Sequence, residues 1–261
     1  MKYPPTETIK AKTLPHAWGM AVPYVLNNGM IIGTQYGNRS RDACITIEIT
    51  HPYELPMMHP QFPTKELHTQ EYLKQWERGY GIAGWIEQGF EYNYMNRLIN
   101  HPKARLECDS DILVAQHKAG KANGERYYNH SPSGSNFIDQ IAHIRDNINK
   151  GVSRRLQATT WIADRDLFVD SDQPCLQRLW LRNLGDGNAE LHSEWRSRDL
   201  YAAWNSNMVG LLTMVKREIL DPNKLTLVKV VDFCNSLHIY EADWEAAALI
   251  KPAIVNPMLM R

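Results

Sequence analysis

LQRLWLRNLGDGNAELHSEW, residues 176–195, decides the architecture. LQRLWLR (176–182) reads as a strand, Gly185-Asp186-Gly187 as a turn, and AELHSEW (189–195) as the returning strand. Two apolar runs joined through glycines are the mark of a hairpin. Downstream, Met208, Leu211, Leu212, Val215 and Ile219 recur at helical spacing, and Pro222 ends that run. LTLVKVVDF (225–233) is a further strand. Upstream, LQATTWI (156–162) reads as a strand. Ile138, Ile141, Ala142, Ile144 and Ile148 share one face of a helix that ends at Gly151. CITIEIT (44–50) alternates strictly, as a half-buried strand does. Strands and helices mix without a regular βαβ alternation. The expected fold is therefore α+β, with helices packed on a mixed, largely antiparallel sheet.

The remaining chain is read more coarsely. Residues 1–40 are rich in Pro, Gly and Asn, with one apolar stretch around Ala21–Leu26. HPYELPMMHPQFPT (51–64) holds four prolines and must be a loop. Helical texture returns at 65–78, and the polar segment 101–137 reads as an exposed insertion in a single domain spanning 1–261. A chain of 261 residues buries a proper core. Its 29 basic and 29 acidic residues cancel, which gives no electrostatic reason to expect nucleic acid or an anionic membrane as partner. No run approaches the roughly 20 apolar residues of a membrane span. MKYPPTETIKAK lacks the apolar stretch of a signal peptide, so the expected setting is cytoplasmic. The four cysteines are far apart, with no C-x-x-C pair, and are expected as reduced thiols.

Several motifs carry little. GYGIAG (79–84) spells a dinucleotide fingerprint, but charged EYLKQWER precedes it where an apolar strand is required. His51, His59 and His68 match no ligand spacing, so no metal site is expected. Cys175 is more informative. Pro174 fixes the entry to the strand that follows, and Arg154, Arg155, Arg196 and Arg198 supply positive charge that favours a thiolate. The bland alternative is a buried cysteine at a strand start. Arg196-Ser197-Arg198-Asp199 is either a solvated turn with local ion pairs or a phosphate pocket, since guanidinium forks match phosphate oxygens. Asn207 opens the next helix, with capping as its plain role. His238 and Tyr240 alternate and share one strand face, which the plain reading puts at a sheet edge.

Taken together, SRR (153–155), PC (174–175), RSRD (196–199), Asn207 and HIY (238–240) resemble thymidylate synthase in order and spacing. The local form, PCLQ, RSRDLYAAWNSNM and CNSLHIYEAD, is similar to the archaeal-type branch and to pyrimidine-nucleotide hydroxymethylases. The resemblance covers about residues 138–245 and, more weakly, 44–100. It implies that Cys175 is the nucleophile at carbon 6 of the pyrimidine and that Arg196 and Ser197 hold the phosphate. It implies a homodimer in which Arg154 and Arg155 reach the partner's ligand. Asp199 would hold the pterin ring, Asn207 would read the base, and His238 and Tyr240 would meet the sugar. Tyr94 would stand near the proton-abstraction step. The catalytic glutamate would be Glu71, with Glu77 as rival, and Arg41 or Arg39 would add a phosphate contact. The implied cofactor is 5,10-methylenetetrahydrofolate or a related methylene-tetrahydropterin.

The implied reaction is methylation of dUMP to dTMP. The first alternative is dUMP hydroxymethylation, with a CMP or dCMP hydroxymethylase less favoured because an acid at 207 would suit cytosine better. A non-catalytic nucleotide-binding dimer is a further alternative. Departures from the family pattern bear on the product. Leu176 follows the nucleophile, Trp204-Asn205-Ser206 replaces Leu-Pro-Phe, Ser236 stands where Asp is common, and NPMLMR is not the usual apolar tail.

Overall fold

The computed structural model describes residues 3–63, 66–80, 92–102, 137–151, 154–169 and 173–251. Most of the expected insertion, much of GYGIAG, Cys108, Ser153, Asp170-Ser171-Asp172 and the C-terminal NPMLMR lie outside them.

The described strands are β1 (Thr6–Ala11), β2 (Met30–Gly33), β3 (Arg39–Ile49), β4 (His101–Pro102), β5 (Phe137–Ile138), β6 (Gln157–Thr159), β7 (Leu176–Gly185), β8 (Asn188–Trp195), β9 (Arg198–Asp199) and β10 (Thr226–Tyr240). The longer helices are α1 (Leu14–Asn28), α2 (Glu66–Lys74), α3 (Tyr94–Ile99), α4 (Gln140–Asn147) and α5 (Trp204–Val215). The main sheet runs β1-β3-β10-β8-β7-β6, with β2 on β3 and β9 on β10. It is mixed: β10 lies antiparallel to β3 but parallel to β8. The fold is α+β, as the pattern of elements implies.

The hairpin forms where the glycines put it. Gly185, Asp186 and Gly187 all have positive φ, at 91°, 50° and 73°, a path that glycine takes without steric cost. Leu179 and Leu181 of β7 and Leu191 and Trp195 of β8 are fully buried. In β3, Ala43, Ile45, Ile47 and Ile49 fill the core face, so the period-2 reading holds and begins five residues earlier than the alternation does.

Four expectations are corrected. The N-terminal region is not mainly irregular: it holds β1 and the 15-residue α1. Thr13 caps α1 by accepting from the His16 N–H at 3.3 Å, and Pro15 sits in its first turn, a start signal that the local Pro content obscures. The strand expected at 225–233 runs on to Tyr240, so SLHIY is the end of a central strand rather than a sheet edge. LQATTWI shrinks to β6, because Thr160 turns away and donates its hydroxyl to the Leu176 carbonyl.

Helix α5 was expected to be amphipathic. In fact every residue of it except Thr213 is buried. It lies inside the molecule, so its polar residues need partners. Asn205 meets that need with the His59 N–H and the Met57 carbonyl, both at 2.9 Å. No helix among the described residues is long and apolar enough to cross a membrane.

Candidate active site

The site forms where the β-ladder opens. β8 and β9 flank β10 like one interrupted strand. Trp195 registers with Cys234 and Arg198 with Leu237, so Arg196-Ser197 and Asn235-Ser236 fall outside the ladder. The pairing of β10 with β3 shifts at the same place. Such a bulge bends the strand and re-aims its side chains. Cys175 precedes β7, whose first residue, Leu176, registers with Trp195. A cavity of about 280 Å³ opens at this end of the sheet. Cys175, Arg196, Ser197, Asp199, Asn207, His238, Tyr240 and Tyr94 all line it. Eight of the expected site residues thus meet in one place.

Cys175 is held through its backbone. Its N–H donates to Tyr92 Oη at 3.3 Å, and its carbonyl accepts from the Arg196 N–H at 2.9 Å. The Arg196 guanidinium donates to the Pro174 carbonyl from Nε at 3.1 Å and to the Gln173 carbonyl from Nη2 at 2.6 Å. Arg196 therefore braces the segment that carries the thiol and also lines the cavity. Cys44, Cys175 and Cys234 are not disulfide-bonded.

RSRD is not a solvated turn. Arg198 is buried, pairs with Asp232 at 2.8 Å and lies 3.4 Å over the Trp195 ring. Asp232 also accepts from Ser193 Oγ at 2.5 Å and Trp204 Nε1 at 2.8 Å. A buried guanidinium and carboxylate require such added bonds. Ser197 Oγ lies 3.4 Å from His238 Nδ1, and the His238 and Tyr240 rings meet edge-on at 4.8 Å. Ser236 hydrogen-bonds to the Asp42 carboxylate, delivered by β3 opposite His238. Burial raises the pKa of Asp42 and also that of Asp199. Asp199 Oδ1 accepts the Ala202 N–H at 3.0 Å.

The opposite wall is helical. Asn207 is not the N-cap of α5. Ala203 holds that position, and the Asn207 N–H already bonds its carbonyl at 2.9 Å. Asn207 Nδ2 donates to Tyr72 Oη at 2.7 Å. Tyr92 and Tyr94 place their hydroxyls 3.3 Å apart, and burial raises the pKa of both. Tyr94 stacks on Trp76 at 5.4 Å.

Other expected residues lie elsewhere. Glu71 and Glu77 are exposed and do not line the cavity. Tyr72 of α2 and Gln75, just past its end, line the cavity instead. Arg41 lies 5.0 Å over Trp244, and Arg39 pairs with Glu241; neither lines the cavity. Arg154 and Arg155 are exposed and do not line it either. Sequence reading missed Tyr72, Gln75, Tyr92, Gln35 and Tyr36. Tyr72 and Trp76 at i, i+4 were the available signal, submerged in the charged texture of EYLKQWER.

No family model matches the chain. It is similar to curated archaeal proteins, each named "Putative thymidylate synthase". That of Methanosarcina barkeri is 27% identical over 244 residues, 91% of each chain. That of Methanocaldococcus jannaschii is 27% identical over 214 residues, 79% of this chain and 78% of its own. That of Methanothermobacter thermautotrophicus is 23% identical over 260 residues, 94% of this chain and 98% of its own. Along most of its length the chain is thus similar to archaeal proteins named as thymidylate synthases, and the motifs expected from that resemblance gather around one thiol.

Proposed function

We infer that the chain is a cytoplasmic, homodimeric enzyme that transfers a one-carbon unit to carbon 5 of dUMP through a covalent adduct at Cys175, giving dTMP. The observation that carries this reading is the shared cavity, in which one thiol, a braced arginine, an Asn amide and a His–Tyr pair face the same space.

Each group has a task that suits its chemistry. The Cys175 thiolate adds to carbon 6, and the electron pair of the 5,6 double bond moves toward the carbonyl at position 4. Carbon 5 then carries nucleophilic character that it otherwise lacks. Arg196 and Ser197 bind the phosphate, as a guanidinium and a hydroxyl can. Arg154 and Arg155, exposed and outside their own cavity, add to the partner's phosphate site. His238 and Tyr240 meet the sugar. Asn207 can both donate to a carbonyl and accept from a ring N–H, which suits uracil. Tyr94 and Tyr92 stand by the thiol for proton movement at carbon 5. Loss of the carbon 5 proton frees the transferred carbon from its carrier nitrogen as an exocyclic methylene on the ring, with Cys175 still on carbon 6; as hydride adds to that methylene the 5,6 double bond re-forms and the Cys175 sulfur leaves carbon 6.

The implied cofactor fits the residues present. Asp199 is a carboxylate in the cavity lining whose Oδ1 accepts the Ala202 N–H, and a carboxylate suits the N–H donors of a pterin edge. Bound there, 5,10-methylenetetrahydrofolate supplies the carbon and, for methylation, the hydride. A second reading is dUMP hydroxymethylation, in which water takes the place of hydride. The hydroxyl- and amide-rich wall of Tyr72, Gln75, Tyr92 and Tyr94 favours it, because such groups hold water. The deciding experiment supplies dUMP and methylenetetrahydrofolate and weighs the product. dTMP with dihydrofolate absorbance supports methylation; hydroxymethyl-dUMP with tetrahydrofolate overturns it in favour of the second reading.

A further inference from the structure

Tyr72 lines the cavity beside Asn207, and the methylation steps above give it no task. Its oxygen accepts a hydrogen bond from Asn207 Nδ2 at 2.7 Å, and the indole of Trp76, four residues along the chain, stands beside it. Indole nitrogen can only donate. Both donors are set by one face of α5, where Asn207 and Gly210 are three residues apart. A Cβ at Gly210 would lie 2.3 Å from Trp76 Nε1, so the indole reaches its position only because that side chain is missing. A phenol oxygen has two lone pairs and one proton. With the Asn207 amide donating to its oxygen, Tyr72 has its own proton left to give, and among the described residues no hydrogen bond takes it.

We propose that Tyr72 reads the base together with Asn207 by donating its phenol proton to the carbonyl oxygen at position 4 of uracil. The inference rests on the reading of the cavity as a pyrimidine-nucleotide site. Uracil offers an acceptor at position 4, whereas cytosine offers an amine, itself a donor. Donor would face donor, and a buried polar hydrogen would be left unpaired. The same contact serves the reaction. Addition of the thiolate to carbon 6 moves negative charge onto that oxygen, so the hydrogen bond strengthens as the adduct forms. Burial pushes the Tyr72 pKa up to about 12, which keeps the proton in place at neutral pH.

The test measures binding of dUMP and dCMP to the full chain by calorimetry, for the native protein and for Tyr72→Phe. That substitution keeps the ring and removes only the hydroxyl. The expected result is a native preference for dUMP that falls at least about tenfold in the variant. A merely structural role would weaken both nucleotides alike and leave the ratio unchanged, and that outcome overturns the inference. If the native protein binds neither nucleotide, the reading of the cavity fails as well. A selective native protein with an equally selective Tyr72→Phe sinks only the role of Tyr72. Should Tyr72→Phe not fold, Trp76→Phe carries the test. It removes the indole nitrogen that stands beside Tyr72 and lets the hydroxyl turn away, so the ratio must again fall; an unchanged ratio overturns the inference.

Discussion

On the sheet side of the cavity, Cys175, Arg196 and Ser197 are fixed by backbone. The Cys175 N–H and carbonyl, the Pro174 and Gln173 carbonyls and the opened ladder of β10 set where they stand. On the helix side, Asn207, Tyr72, Trp76, Tyr92 and Tyr94 are fixed by contacts between side chains. Backbone placement follows from strand register, which a local pattern specifies. Side-chain placement depends on which helix packs on which. The two walls should therefore fail in different ways.

The largest expected effect is on the sheet side. Cys175→Ala should lower turnover of dUMP by at least about 10³-fold while dUMP still binds, as product mass and calorimetry would report. Unchanged function in that variant would instead point to a non-catalytic dimer. Next comes Asp232→Ala, which leaves Arg198 buried at 3% exposure without its carboxylate. It should cost about 3–5 kcal/mol in urea unfolding. On the helix side, Gly210→Ala should cost about 1–3 kcal/mol, because the new methyl group overlaps the Trp76 indole. A neutral or stabilising result would mean that the indole gives way easily and that this wall is the softer one.

The smallest effect concerns Asp199. Burial disfavours its charged form, so the folded state holds the proton more tightly than the unfolded state. Stability from this group falls as pH rises from the ordinary carboxylate value of 3.8 through the raised one. Asp199→Asn avoids that loss. It should raise the melting temperature by about 2 °C at neutral pH, with the gain vanishing below the ordinary value. A thermal melt against pH checks both points. Weakened binding of the folate should accompany the gain, since a site group is being exchanged for stability.

Much of the sheet side could be read directly. The β7–β8 hairpin, β3 and the PC and RSRD motifs all announce themselves through alternation, glycine and charge. Their neighbours in sequence are also their neighbours in the site: Arg196 follows β8, and Cys175 precedes β7. The helix side was far less legible. Asn207 passed for a cap because a polar residue before an apolar run usually is one. Glu71 drew attention through its charge, yet Tyr72 beside it faces the cavity. A rotation of one residue about a helix axis is about 100°, and composition does not fix that angle. Asp42 was invisible for another reason: it meets Ser236 across 194 residues, through antiparallel pairing.

Period, turn chemistry and side-chain identity, all of them local, set the mixed architecture, the hairpin and the reactive residue types. Packing makes Arg198 a buried ion-pair partner rather than a surface charge. It alone aimed Tyr72 and Trp76 at Asn207 and brought Asp42 to Ser236. The physical reason is that burial and long-range pairing depend on how elements pack together, and a local pattern carries no record of its distant neighbour.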